Sequence, residues 1–308
     1  MTSNLPSHLI GQVVPDLVSD TCISLIERVH ERFLASPLAY GHGTDNAWDE
    51  AVYLVTSISG LPDSDQVVAS EVSQEIERQI IDYAERRIEE RIPLAYLLGF
   101  CQYAGYRFSI KEGVVIPRSP IGLLVSEGHL KSLVGKGVKR ILDLCTGSGC
   151  LGILAAHEYP EAEVVLVDKE PLAVDLAKKN VQEHDLQSRA SVVKMDVTSE
   201  TFGDLGEFDL ILCNPPYVDE IDMRSLPEEF LKEPTIGLDG GVDGMDVVSH
   251  VIRHAKKHLT ETGYLICEVG GSAAAFNRIF SDYAPMALEP ALAGEGLFLL
   301  ESKSLKAI

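Results

Sequence analysis

Four residues combine types and spacing suited to chemistry on a planar –NH2 group: Asn214-Pro215-Pro216-Tyr217. They follow the apolar run Phe208 to Cys213, which predicts a buried strand. Each proline locks φ and removes a backbone donor, and a residue before proline is pushed out of the helical region. Asn214 is therefore expected in extended backbone at the carboxyl end of a strand, where open α/β sheets bind ligands. Its side-chain oxygen and the Pro215 carbonyl form two fixed acceptors, with Tyr217 as a flat apolar wall beside them. Two such acceptors hold the two hydrogens of one –NH2 group. A tight turn closing a strand would also explain two prolines, and the residues upstream decide between these readings.

Upstream lies Asp143-Leu144-Cys145-Thr146-Gly147-Ser148-Gly149-Cys150-Leu151-Gly152, between a predicted strand and a predicted helix. Gly147, Gly149 and Gly152 satisfy G-x-G-x-x-G, and Asp168 ends the next strand. Glycines let backbone approach a nucleotide, and an acid at the second strand accepts from ribose hydroxyls. The motif alone serves a dinucleotide or S-adenosylmethionine. Asp143 favours the latter, because an acid within the loop repels a pyrophosphate and attracts an amino-acid ammonium. Asp196, after the third strand, is a candidate acceptor for an adenine amino group or, equally, a turn cap.

Other constellations are weaker. His250, His254 and His258 fall at i, i+4 and i+8, yet no acid or cysteine completes a metal site, so no metal is expected. No serine occupies a G-x-S-x-G elbow. Arg118, in the proline-stiffened turn Ile116-Pro117-Arg118-Ser119-Pro120, faces either the site or solvent. Gly240-Gly241-Val242-Asp243-Gly244 reads as a surface loop near the site mouth.

The elements that must position these groups divide the chain. Residues 1–95 predict helices over Ser19 to Ala35, capped by Ser19 or Asp20, over Ala47 to Ile58 and over Glu71 to Glu90. This small helical domain is a candidate for docking the substrate. Residues 96–117 predict a β-hairpin linker around Gly105. Residues 118–308 predict the catalytic domain. There strands over Arg140 to Cys145, Glu163 to Asp168, Ser191 to Lys194, Phe208 to Cys213 and Gly263 to Val269 alternate with helices over Gly149 to His157, Leu172 to Gln182 and Val247 to His258. Met286 to Ser302 supplies two more strands around Gly294-Glu295-Gly296. Such alternation implies an α/β fold, a parallel sheet with helices on both faces.

Composition narrows the partners. The 308 residues are 45% hydrophobic and 24% charged, the balance of a soluble protein with a real core. No apolar run reaches membrane-spanning length, and the first residues lack the regions of a signal peptide. None of the 6 cysteines forms a C-x-x-C pair, so reduced thiols and a cytoplasmic location are expected. The net charge is −21, from 26 basic and 47 acidic residues. A nucleic-acid substrate normally requires a basic face. An acidic enzyme can instead attract a strongly basic protein, or the charge can serve solubility alone.

The glycine loop, Asp168 and Asn214 to Tyr217 together resemble the Rossmann-like class I methyltransferases that use S-adenosylmethionine to methylate an –NH2 nitrogen. Within these, the chain is similar to the protein-glutamine N5-methyltransferases, which carry a helical domain ahead of the catalytic one. One bacterial branch acts on peptide-chain release factors and another on a large-subunit ribosomal protein, L-three. Tyr40 to Asn46, Asp49 to Ala51 and Pro117 to Gly122 match the ribosomal branch. Ala273, three residues after Gly270, departs from the glutamine often found there in the release-factor type.

The resemblance implies cofactor contacts from Asp143, Thr146, Gly147, Gly149, Asp168, Asp196 and Asn214. Substrate contacts would come from Asn214, Pro215, Pro216, Tyr217 and Arg118, with Asn214, Pro215 and Tyr217 catalytic. It also implies a basic ribosomal protein as partner, and neither nucleic acid nor membrane. The rival readings are a release-factor enzyme, a nucleic-acid exocyclic-amine methyltransferase, a non-catalytic ribosome-assembly factor and an NAD-dependent dehydrogenase.

Overall fold

The computed structural model describes residues 21–60, 70–199, 202, 204–288 and 296–306. The first three helices are α1 (Cys22–Leu34), α2 (Ala47–Ser59) and α3 (Gln74–Glu89). Their apolar stripes, including Leu25, Val29, Phe33, Ala51, Leu54, Ile80 and Ala84, meet in one buried cluster. Asn46 and Ser73 cap α2 and α3 through their side chains, and Gly60 closes α2 at φ 68°. The cap of α1 is Thr21; Ser19 and Asp20 lie outside the described residues.

A short helix, α4 (Leu94–Leu98), leads into a hairpin of β1 (Phe100–Tyr103) and β2 (Tyr106–Ser109). Its two-residue turn places Ala104 at φ 50° and Gly105 at φ 81°. Positive φ at both positions gives the turn a twist that matches the flanking strands. Ser119 then caps α5 (Pro120–Ser126), with Pro120 in the first turn, where its missing N–H costs nothing. The sequence reading had only a turn here. Helix α6 (His129–Val134) follows.

The main sheet holds β3 (Arg140–Leu144), β4 (Glu163–Asp168), β5 (Ala190–Lys194), β6 (Phe208–Cys213), β7 (Leu259–Glu268), β8 (Met286–Ala287) and β9 (Leu297–Glu301). Its order is β5-β4-β3-β6-β7-β9-β8. The first five strands are parallel, while β9 pairs antiparallel with both β7 and β8. The sheet is therefore mostly parallel, because a closing hairpin inserts its second strand against β7.

Strand β6 is buried on both faces. Leu210 and Leu212 pack with Leu151, Leu154 and Ala155 of α7 (Cys150–Glu158). Ile211 and Cys213 pack with Val248, Val251 and Ile252 of α10 (Asp246–Ala255) and with Phe276 of α11 (Ala273–Phe280). The period-2 alternation of strand side chains thus serves two cores. Helix α8 (Pro171–Glu183) covers β4 and β5. A short helix, α9 (Glu220–Met223), follows β6. No helix among the described residues is long and apolar enough to cross a membrane.

Two carboxylates from the segment after β6 tie the helical region to the sheet. Glu229 accepts from Arg91 through both oxygens at 2.8 Å, from Arg87 Nη1 at 3.0 Å and from the Ala39 amide at 3.0 Å. Arg87 is fully buried and also donates to Glu50 at 2.5 Å and to the Ala39 carbonyl at 2.8 Å. Glu233 accepts from Arg118 through both oxygens at 2.7 and 2.8 Å and from the Ile116 amide at 2.8 Å. His42 Nε2 lies 3.3 Å from its second oxygen. Planar, forked donors of this kind make strong and directional pairs.

Burial alone would raise both carboxyls, but the donors outweigh it and bring each down to about 2. A depressed carboxyl stabilises the fold above its unfolded pKa, here 4.5, and loses that contribution as pH falls toward the folded value. Acidification from about pH 4.5 to about pH 2 should therefore loosen the helical region from the sheet, read by Trp48 fluorescence and near-ultraviolet circular dichroism. Arg87→Ala, which leaves buried Glu50 without its cation and Glu229 with Arg91 alone, should cost about 3–5 kcal/mol in urea unfolding.

Candidate active site

The carboxyl ends of the parallel strands open into one cavity of about 280 Å3. Gly147, Asp168, Asp196, Asn214, Pro215, Pro216, Tyr217 and Arg118 all line it. Residues spread over a hundred positions of chain thus converge at the sheet edge, as strand register requires. Leu144 pairs with Cys213 across β3 and β6, and Cys213 pairs with Cys267 across β6 and β7. The glycine loop, Asn214 and Glu268 consequently leave neighbouring strands at the same level.

At one end of the cavity is the loop between β3 and α7. Gly147 has φ 56°, and nothing comes nearer than 3.8 Å to where its side chain would stand, so bare backbone faces the cavity. Its amide donates to Asp168 Oδ2 at 2.8 Å, while the Glu170 amide donates to Oδ1 at 3.0 Å. Burial raises the Asp168 carboxyl against those two bonds. Asp196 accepts from the Thr198 hydroxyl at 2.7 Å and its amide at 2.8 Å, and its carboxyl is lowered chiefly by the hydroxyl. Asp196 is thus a turn cap that also lines the cavity.

Asp143 and Thr146 occupy different places. Asp143 is fully buried behind the loop and does not line the cavity. It accepts from the Thr146 hydroxyl, and from the Gly152 amide at 2.8 Å. Burial pushes its carboxyl up to about 7 against these bonds. Asp143 and Thr146 shape the loop from beneath, and Thr146 also reaches the cavity wall.

At the other end Asn214 leaves β6 with its Oδ1 buried and without a hydrogen-bond partner. Pro215 is buried beside it. A buried acceptor without a donor costs about 1–3 kcal/mol, so an atom left this way inside a cavity is suited to an N–H from a ligand. Tyr217 closes the end of the cavity and is held on three sides. Its hydroxyl donates to Glu268 Oε1 at 2.7 Å, its carbonyl accepts from Ser272 Oγ at 2.8 Å, and Val218 bridges to Asp239. Gly270, at φ 43°, lies so close that a Cβ there would stand 2.5 Å from the tyrosine ring. The loop of Gly240 to Gly244 packs against the same residue, since Cβ atoms at 240 and 244 would meet Tyr217 backbone at 2.7 and 2.2 Å.

Arg118 faces the cavity rather than solvent alone. Its guanidinium is gripped by Glu233 and lies 5.3 Å over the Phe230 ring. The wall opposite the glycine loop comes from Leu226, Phe230, Pro234 and Ile236, all in the segment whose Glu229 and Glu233 bind the helical region.

Sequence reading did not assign Glu268, Ser119 or Glu233 to the site. The one available signal was an acid ending the apolar run Leu265-Ile266-Cys267. The three histidines do not form a single helix face, because α10 ends at Ala255. His258 instead stacks on Phe202 at 5.2 Å, with Nδ1 2.9 Å from the Gly206 carbonyl. No cluster of three or more His, Cys, Asp or Glu among the described residues could hold a metal ion.

The site residues suit S-adenosylmethionine. Open glycine backbone and two acids lie at one end, and a buried amide oxygen without a donor lies at the other. The sequence profile of the "Methyltransferase small domain" family matches residues 125–241. The ribosomal protein uL3 glutamine methyltransferase of Bordetella pertussis is 39% identical over 288 residues, covering 92% of this chain and 96% of that one. The ribosomal protein uL3 glutamine methyltransferase of Francisella tularensis is 39% identical over 269 residues, covering 86% and 85%. Among solved structures, the hMettl16 catalytic domain bound to a MAT2A 3'UTR hairpin has a TM-score of 0.48 at 17% identity, covering 77% of this chain and 84% of that one. This chain therefore belongs to the ribosomal protein uL3 glutamine methyltransferase family.

Proposed function

We propose that this protein transfers a methyl group to the side-chain nitrogen of a glutamine in the large-subunit ribosomal protein uL3. The enzyme is a methyltransferase and its cofactor is S-adenosylmethionine, which supplies an electrophilic methyl on a sulfonium. The observation that carries the proposal is Asn214 Oδ1, buried in the cavity and lacking a donor. Relatives that share 39% of their residues with nearly the whole chain are named for the same reaction. The net charge of −21 complements a basic ribosomal protein and disfavours a nucleic-acid substrate.

An amide nitrogen is a poor nucleophile because its lone pair is delocalised into the carbonyl. Asn214 Oδ1 and the Pro215 carbonyl accept its two N–H groups, and this fixes the plane of the carboxamide and aims the lone pair. Orientation of this kind supplies up to about 7–11 kcal/mol of a barrier. The same acceptors favour positive charge developing on nitrogen. Tyr217 and Pro216 pack against the carboxamide and exclude water, while Arg118 lines the entrance. Gly147 would let the backbone approach the cofactor, while Gly149 does not line the cavity and instead allows close packing on Leu166 and Ala177. Asp168 would accept from the ribose hydroxyls and Asp196 from the adenine amino group. Asp143 and Thr146 hold the loop in shape from behind.

The chain divides in this reading into a helical domain over residues 1–95, a linker over 96–117 and a catalytic domain over 118–308. The helical domain docks the substrate, and Glu229 and Glu233 tie that platform to the wall of the reaction cavity.

Mass spectrometry of ribosomal proteins and release factors from cells lacking the enzyme should show one methyl missing from a uL3 glutamine. A loss confined to release factors would move the substrate to the other branch. Asn214→Ala should lower turnover at least about a hundredfold with the calorimetric dissociation constant for S-adenosylmethionine nearly unchanged; full activity would remove Asn214 from the reaction. Asp168→Ala should weaken that dissociation constant, and an unchanged value would contradict the ribose contact.

A further inference from the structure

Positive charge builds on the amide nitrogen as the methyl arrives, so the charges facing the reacting end of the cavity bear on the barrier. Glu170 lines the cavity at the cofactor end, where it precedes α8, and four further acids that line the cavity or lie behind it are engaged at that end or by a cation. Asp143 is bound to Thr146 and Gly152 behind the loop, and Asp168 and Asp196 are bound to local donors at the cofactor end. Glu233 lines no part of the cavity and gives both oxygens to Arg118.

Glu268 differs. It is 4% exposed, lines the cavity at the level of Asn214, and forms no ion pair among the described residues. Its partners are two neutral hydroxyls: Tyr217 donates to Oε1 at 2.7 Å and Ser119 to Oε2 at 2.5 Å. Ser119 is itself held in place, since its carbonyl accepts from the Tyr103 hydroxyl and its Oγ accepts from the Ile121 amide at 3.2 Å. The groups facing Glu268 are thus Tyr217 after β6, Ser119 and Arg118 before α5, and Tyr103 of β1. Arg118 is the one cation, and Glu233 balances it.

We propose that ionised Glu268 is a positioning residue for the reaction, clamping Tyr217 by its hydroxyl and holding an unbalanced negative charge toward the nitrogen that becomes cationic. This rests on the glutamine reading above. A fixed carboxylate in a water-poor site acts over a few ångströms with little screening. It favours the transition state, where nitrogen is positive, over the bound amide, where it is neutral, so it acts on kcat rather than KM. The methyl step itself balances without it: the C–N bond forms, the C–S bond breaks with its electron pair on sulfur, and the nitrogen later loses a proton to water. Burial raises the Glu268 carboxyl, while Ser119, Tyr217 and Arg118 oppose that rise. Activity should consequently fall as pH drops through a value above that of an ordinary glutamate.

The test is a pH profile of methyl transfer to purified uL3, alongside infrared titration of the carboxyl band in the cofactor-free protein. Difference spectra between wild type and Glu268→Gln isolate the Glu268 band. The expected result is a Glu268 titration above 4.5 that coincides with the acid limb of kcat. Glu268→Gln should lower kcat about a hundredfold and abolish that limb, with KM and the S-adenosylmethionine dissociation constant within twofold. Tyr217→Phe removes a donor that favours the ionised form, so both the band and the limb should move to higher pH. A Glu268→Gln enzyme with wild-type kcat, or with the acid limb intact, overturns the proposal. So does an infrared band showing Glu268 protonated at neutral pH. Failure of the wild type to methylate uL3 would defeat the substrate assignment instead, and the infrared titration would still decide whether Glu268 is ionised.

Discussion

Asn214 is confined between a strand buried on both faces and two consecutive prolines, and the cavity takes its character from that confinement. The strand fixes where the residue emerges, and Pro215 keeps its backbone out of the helical region. The side chain therefore presents an oxygen to an enclosed space where no protein donor meets it. Such an atom is a standing cost of the folded state. The fold sustains it because β6 packs its alternate residues into both cores.

Tyr217 shows how much surrounding structure is devoted to keeping this corner rigid. Glycines at 240, 244 and 270 let two stretches of backbone press against it, and a side chain added at any of the three would clash. Ser272 and Glu268 hold its carbonyl and hydroxyl. Here glycine serves close approach of backbone rather than freedom of movement. A site that orients a weak nucleophile gains from such rigidity, since small displacements of reacting atoms are costly.

The segment between β6 and α10 joins this corner to the helical region. Its apolar residues Phe230, Pro234 and Ile236 form a cavity wall, and its acids Glu229 and Glu233 enter a buried network of arginines. Breaking such a pair on one side leaves an uncompensated interior charge, so the two regions cannot separate cheaply. The proposed docking platform and the reaction cavity consequently share one piece of chain. The overall charge of −21 acts at longer range on what approaches.

The alternation of apolar runs and helices from Arg140 to Glu268, the glycine loop, Asp168 and Asn214 to Tyr217 were legible in the sequence, because each depends on local rules. Strand period, proline stereochemistry and glycine backbone freedom operate within a few residues. Helices α5 and α11 were not read, since Pro120 looked like a turn and α11 is only 8 residues long, with Phe276 and Phe280 as its buried pair. The two closing strands were read, but not that β9 pairs antiparallel with β7, because strand direction depends on partners far along the chain. Tertiary structure alone put Asp143 behind the loop, turned Arg118 onto Glu233, and brought Glu268 beside Tyr217 from 51 residues away. A carboxylate's neighbours, and so its charge, are set by which strands lie side by side, and no spacing along one chain encodes that directly.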